Sequence, residues 1–133
     1  MCEITEQLRD QLWDEAFPVD GYDERLYRHD ACGAWMVKEK YGDRNSVFGW
    51  EVDYIMPKKL LEDRGVLKEE IDNHANLRAL NWRNKDSKGN DYPVYHARVV
   101  AKEGRNVEED RELSVSEEKQ RELRQLYGKY FQQ

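Results

Sequence analysis

The sequence predicts a single α+β domain flanked by helices, on three observations. Ile4, Leu8 and Leu12 recur every fourth position; apolar and polar residues alternate from Trp50 to Met56; and a serine-glutamate capping signature precedes a second amphipathic stretch near the C-terminus. The first pattern, with Trp13 and Ala16 flanking it, predicts a helix over residues 4–16 that Pro18 ends. A polar, turn-rich segment follows to Asp30. Ala31–Lys38 then reads as a strand and Tyr41–Asn45 as a turn. Phe48–Pro57 reads as a second strand, with Trp50, Val52, Tyr54 and Met56 on one face and Glu51, Asp53 and Ile55 on the other, and the two strands suggest a hairpin. Residues 58–75 read as a long ordered loop in which Leu60, Leu61, Leu67 and Ile71 anchor one or two helical turns. Residues 76–89 read as a loop leading into a short helix ended by Gly89. Val94–Ala101 is strand-like, 102–106 a turn, and Ser114 with Glu117 has capping-box spacing before a helix over 116–130 that presents Leu123 and Tyr127.

The composition fits one domain over residues 1–133. Hydrophobic and charged residues each make up 38% of the 133 residues, so apolar material has to be concentrated, and the 4 Trp, 8 Tyr and 3 Phe predict an aromatic core inside a charged shell. No apolar run approaches a membrane span and the N-terminus lacks the pattern of a secretory leader, which predicts a cytoplasmic protein without a membrane partner. Cys2 and Cys32 are too few for a disulfide framework. The net charge of −6 argues against a strong general nucleic-acid binder. Yet residues 78–102 hold six basic side chains against two acidic ones, a local +4. That stretch either tracks a phosphate backbone or forms a solvated helix face.

Five segments stand in a recognisable order: Arg28-His29-Asp30-Ala31-Cys32-Gly33, Tyr41-Gly42, Trp50-Glu51-Val52-Asp53-Tyr54-Ile55-Met56-Pro57, Asn76-Leu77-Arg78-Ala79-Leu80, and Asn84-Lys85-Asp86-Ser87-Lys88-Gly89. Over about residues 12–93 they resemble the ββα-metal core of HNH endonucleases, with that core at about 28–93 and a C-terminal hairpin and helix over 94–133. The resemblance implies phosphodiester hydrolysis, in which a divalent metal stabilises the leaving oxygen and a base deprotonates water. It assigns a metal-binding Asp to Asp53, the base to position 54, and the Asn that orients the base to Asn76.

Two positions depart from the family pattern. The base is replaced by Tyr54, which is protonated at pH 7 with an ordinary pKa of about 10. The helix metal ligand falls on Lys85, a cation that repels Mg²⁺, with Asn84 one residue early. The expected metal set, Asp53 with Asn84, is therefore a relic; no cofactor is expected, and Mg²⁺ or another divalent metal only if activity persists. Many family members hold a structural zinc where this chain has Cys32, Trp35, Asn81 and Asn84, which predicts a treble-clef-like core without zinc, its space filled by Trp35, Trp50 and Trp82.

Plainer readings stand beside these. Tyr54 completes an apolar row, Asp53 is an exposed strand carboxylate, and His74 and His96 are surface residues rather than replacement bases. A sharper expectation pairs Lys85 with Asp53, ammonium in place of metal. The expected function is a silent or weak HNH-like protein that contacts DNA through Lys58, Lys59, Arg78, Arg83, Lys85 and Lys88. The alternatives are an active endonuclease built on Asp53, Asn84 and His74, and a protein-interaction module on the same scaffold.

Overall fold

The computed structural model describes residues 4–132; Cys2 lies outside them. The protein is mixed α+β, with small two-stranded antiparallel sheets and five helices among the described residues. Helix α1 (Glu6–Asp14) starts at Thr5, whose hydroxyl accepts from the Leu8 amide at 3.0 Å, and it buries Leu12 and Trp13. Its C-terminal end is tied down by Arg28, which donates to the carbonyls of Asp14 and Ala16.

Strand β1 (Tyr27–His29) pairs with β2 (Trp35–Val37), and β3 (Trp50–Tyr54) pairs with β4 (Leu77–Asn81). The expected hairpin between the 31–38 and 48–57 stretches does not form; they adjoin through the Val37 amide on the Phe48 carbonyl, and each takes another partner. Residues 77–81, expected as loop, are a strand. The reason is burial on both faces: Leu77 packs with Leu12 and Val52, Ala79 with Trp13, Met36 and Trp50, and Leu80 in the largest cluster, so alternation is absent.

Between β3 and β4 lie α2 (Lys58–Asp63) and α3 (Lys68–Ile71), which bury Leu61 and Ile71 as expected but leave Leu67 exposed. Helix α4 (Trp82–Lys88) follows β4 without a break. Asn81 caps it, accepting from the Arg83 amide at 2.9 Å, and Gly89 ends it at φ 52°, where a side chain would be strained. The order strand, excursion, strand, helix is thus present in the chain.

The long hairpin β5 (Val94–Lys102) and β6 (Arg105–Ser114) leads to α5 (Glu117–Tyr127). The cap of α5 is Ser116, accepting from the Lys119 amide at 3.2 Å, rather than Ser114, which ends β6. Leu123 and Tyr127 dock α5 into the largest core cluster beside Ile55, Met56, Leu61 and Tyr95. No helix among the described residues is long and apolar enough to cross a membrane.

Candidate functional site

The register of β3 against β4 sets Asp53 opposite Arg78 and Tyr54 opposite Leu77. Just before β4, the fully buried Asn76 accepts from the Met56 amide at 2.7 Å and donates to the carbonyls of Met56 and Ile71 at 3.1 and 3.3 Å. One side chain therefore closes both ends of the excursion between the strands. The side-chain amide is engaged on backbone, not on a base.

Asp53 is 4% exposed, so it is a buried carboxylate and not an exposed strand residue. Arg78 Nε donates to its Oδ2 at 3.0 Å, and Lys88 Nζ stands 3.5 Å from its Oδ1. Lys88 is itself only 1% exposed and donates to the Tyr54 carbonyl at 2.9 Å. Burial pushes the Lys88 pKa below the ordinary lysine value, against the Asp53 charge, which raises it.

The expected Lys85–Asp53 pair is not made. Lys85 Nζ lies 3.3 Å from Glu51 instead, and Glu51 also receives Arg44 through two hydrogen bonds of 2.8 Å. The hydrogen bonds from Arg44 hold Glu51 below the usual carboxylate range. Arg44 in turn reaches Asp86 at 2.8 Å, so this cation-rich patch is largely neutralised from within. Lys88, one helical turn after Lys85, takes the place expected of it, because positions three apart share a helix face.

Tyr54 is partly buried against the Val52 and Leu123 clusters, which fits its apolar reading, while its hydroxyl donates to Asp72 Oδ1 at 2.7 Å. Asp72, 4% exposed, accepts from Lys68 Nζ at 3.0 Å on its other oxygen. Beside Asp53 and Tyr54 opens a cleft of about 380 Å³ that Arg44, Lys58, Lys85 and Asp86 also line.

Neither imidazole proposed as a substitute base touches Asp53. His74 Nε2 sits 2.8 Å from Glu15, and His96 bonds Asp110 on the C-terminal hairpin. His29 lies edge-on to Trp35, with burial holding its pKa below the ordinary histidine value.

A second polar cluster lies at the start of α4. Asp30, 2% exposed, accepts from the amides of Cys32 and Ala34 on one oxygen at 2.9 and 2.8 Å, and from the Asn81 amide and Asn84 Nδ2 on the other at 3.0 and 3.1 Å. Asn84 Oδ1 accepts from the Arg98 and Val99 amides, and Asn81 Nδ2 donates to the carbonyls of Trp35 and Val47. Burial pushes the Asp30 pKa up, and these hydrogen bonds pull against it.

The expectation that Trp35, Trp50 and Trp82 fill this space is therefore corrected: carboxylate-to-amide bonds join positions 32, 81 and 84, and Trp50 packs elsewhere, on Trp13. Cys32 is a buried thiol 3.9 Å from the Tyr95 hydroxyl, its pKa pushed up to about 12 by burial. Asn106 was missed altogether; it bridges the Trp35 amide and the Trp35 and Val47 carbonyls from β6, and no motif position marks it.

The expected metal pair is not assembled. Asn84 is committed to Asp30, Arg98 and Val99, and Asp53 faces two cations, a donor set that does not suit a divalent ion. No group of three or more His, Cys, Asp or Glu residues that could hold a metal occurs among the described residues. Of the residues expected to contact nucleic acid, Lys58 and Lys59 are exposed, Lys59 near Asp63, and Lys85 is half-buried beside Glu51. Arg83 is paired with Glu108. Arg78 and Lys88 point inward to Asp53 and are corrected as backbone contacts. No family model matches the chain, and no curated protein or solved structure does so either.

Proposed function

We propose that this chain is a catalytically silent relative of the HNH endonucleases that keeps a weak nucleic-acid contact at the cleft beside β3 and α4. The observation that carries the reading is the pairing of Asp53 with Arg78 and Lys88, next to a tyrosine where a base would be needed. The strand-excursion-strand-helix order and the Asn76 staple support the kinship. A phenol bonded to Asp72 has no drive to take a proton from water near neutral pH.

The nucleic-acid contact rests on Lys58 and Lys59 together with Arg44 and Lys85 at the rim of the cleft. Glu51 and Asp86 offset much of that charge, so few phosphates are neutralised and the salt dependence is shallow. The active-nuclease alternative gains nothing here, since Asn84 and His74 are engaged away from Asp53.

The test is supercoiled-plasmid cleavage with Mg²⁺, Mn²⁺ or Ni²⁺, compared with Asp53→Ala. No nicking by either protein is expected, and metal-dependent nicking lost in Asp53→Ala would overturn silence. Gel shifts at low salt should show weak binding that Lys58→Glu with Lys59→Glu reduces; no binding at any salt leaves the scaffold as a protein-interaction module. Tyr54→His combined with Lys85→Asn should remain inert, because Arg78 and Lys88 still hold Asp53.

A further inference from the structure

We infer that Lys88 is a built-in cation at Asp53 that takes the place of a divalent metal and keeps one out. Two oxygens of the kind hard cations prefer, a strand carboxylate and a backbone carbonyl, converge here: Asp53 Oδ1 and the Tyr54 carbonyl. One nitrogen, Lys88 Nζ, meets both, at 3.5 and 2.9 Å. The remaining Asp53 oxygen is taken by Arg78.

A divalent ion bound to Asp53 Oδ1 would share these oxygens with a like charge a few ångströms away. Lys88 cannot relieve the clash cheaply. Its side chain is 1% exposed, it is the last residue of α4, and Gly89 turns the chain at that point. Asp53 and Tyr54 line an open cleft, so the ion pair stands next to solvent-accessible space. The barrier is charge: Arg78 contributes on Oδ2, and Lys88 is the cation that meets both oxygens an ion would use. This inference stands whether or not the cleft contacts nucleic acid.

The experiment titrates Mn²⁺ into the full chain and reads water-proton relaxation together with broadening of the amide resonances of residues 53–54 and 77–78. The natural chain, Asp53→Asn, Lys88→Gln, Lys88→Met, and Lys88→Gln combined with Asp53→Asn are compared, each checked for folding by circular dichroism. The natural chain should show no broadening centred on Asp53. Lys88→Gln or Lys88→Met should gain Mn²⁺ affinity by about tenfold or more, and the added Asp53→Asn should abolish the gain.

A folded Lys88 variant that binds Mn²⁺ no better than the natural chain overturns the inference. So does broadening at Asp53 in the natural chain that Asp53→Asn removes, a result that decides the matter even if neither Lys88 variant folds. Plasmid nicking and DNA binding, which decide the functional reading, do not enter this measurement.

Discussion

Helix α4 joins two buried carboxylates that are satisfied in opposite ways. Asp30 is surrounded by neutral donors, three backbone amides and the Asn84 side chain, whereas Asp53 is held by two cations beside an open cleft. Backbone amides are fixed by the fold and cannot be redesigned away, so the Asp30 cluster is architecture: it clips the first hairpin and the β5 strand to the start of α4. Charged side chains on a carboxylate are replaceable as a set, because an ion pair and an apolar group of similar volume are often close in stability. The difference separates a clasp that the fold needs from a centre whose charges can be replaced together.

The largest effect is expected at the clasp. Asp30→Ala leaves the amides of Cys32, Ala34 and Asn81 and the Asn84 side chain without their acceptor in the interior, at a cost of about 4 kcal/mol. Urea unfolding measures it. Pairing the change with Asn84→Leu should recover little, since the backbone donors remain. A cost below about 1 kcal/mol would show that water replaces the carboxylate, and the contrast with Asp53 would fall.

Next comes Asp53→Leu, which strands Lys88 and Arg78 and should cost about 3 kcal/mol. Here the double change Asp53→Leu with Lys88→Met should recover most of the loss, Arg78 being the more exposed of the two cations at 16% against 1%. Recovery at Asp53 without recovery at Asp30 in the two double-mutant cycles is the sharpest form of the comparison. Equal non-recovery would make both clusters architectural.

The two clusters were unequally legible in the sequence. The strand carrying Asp53 was visible because Trp50, Val52 and Tyr54 alternate, and α1 and α5 were visible through their apolar spacing. Strand β4 was not, because Leu77, Ala79 and Leu80 are buried on both sides and leave no period of two. Position counting expected a cation on Asp53 but chose Lys85; the choice between it and Lys88 depends on the azimuth at which α4 leaves Asn81, which no local pattern encodes. Asn81 read only as an absent zinc ligand, and Asn84 as that or as a displaced metal ligand, since an amide acquires its meaning from an acceptor, Asp30, that lies more than fifty residues away.

The Asn76 staple lies between the extremes. It bonds backbone like the clasp, yet lies just after Asp53 and Tyr54 in the fold, closing the excursion between β3 and β4. Asn76→Ala leaves the Met56 amide without an acceptor and should cost about 2 kcal/mol. Hydrogen exchange should rise first across residues 57–75 if the staple serves the excursion alone, and across Asp53 as well if it also holds the centre.

The smallest effect belongs to the rim, where Arg44 holds Glu51. A carboxylate whose folded-state pKa lies below its unfolded value contributes stability above the unfolded value, about 4.3 for glutamate, and loses it as the pH falls through the depressed one. Arg44→Gln should therefore lower stability at neutral pH by about 0.5 kcal/mol at low salt, an exposed-pair magnitude that added salt reduces. At acid pH, where Glu51 is protonated in both proteins, the two stability curves should converge. Thermal melts at pH 7 and at successively lower pH, followed until the gap stops changing, check the sign. A gap that persists after Glu51 has been titrated would mean that Arg44 acts through the face of Trp82, and that the rim belongs with the architecture rather than with the exchangeable charges around Asp53.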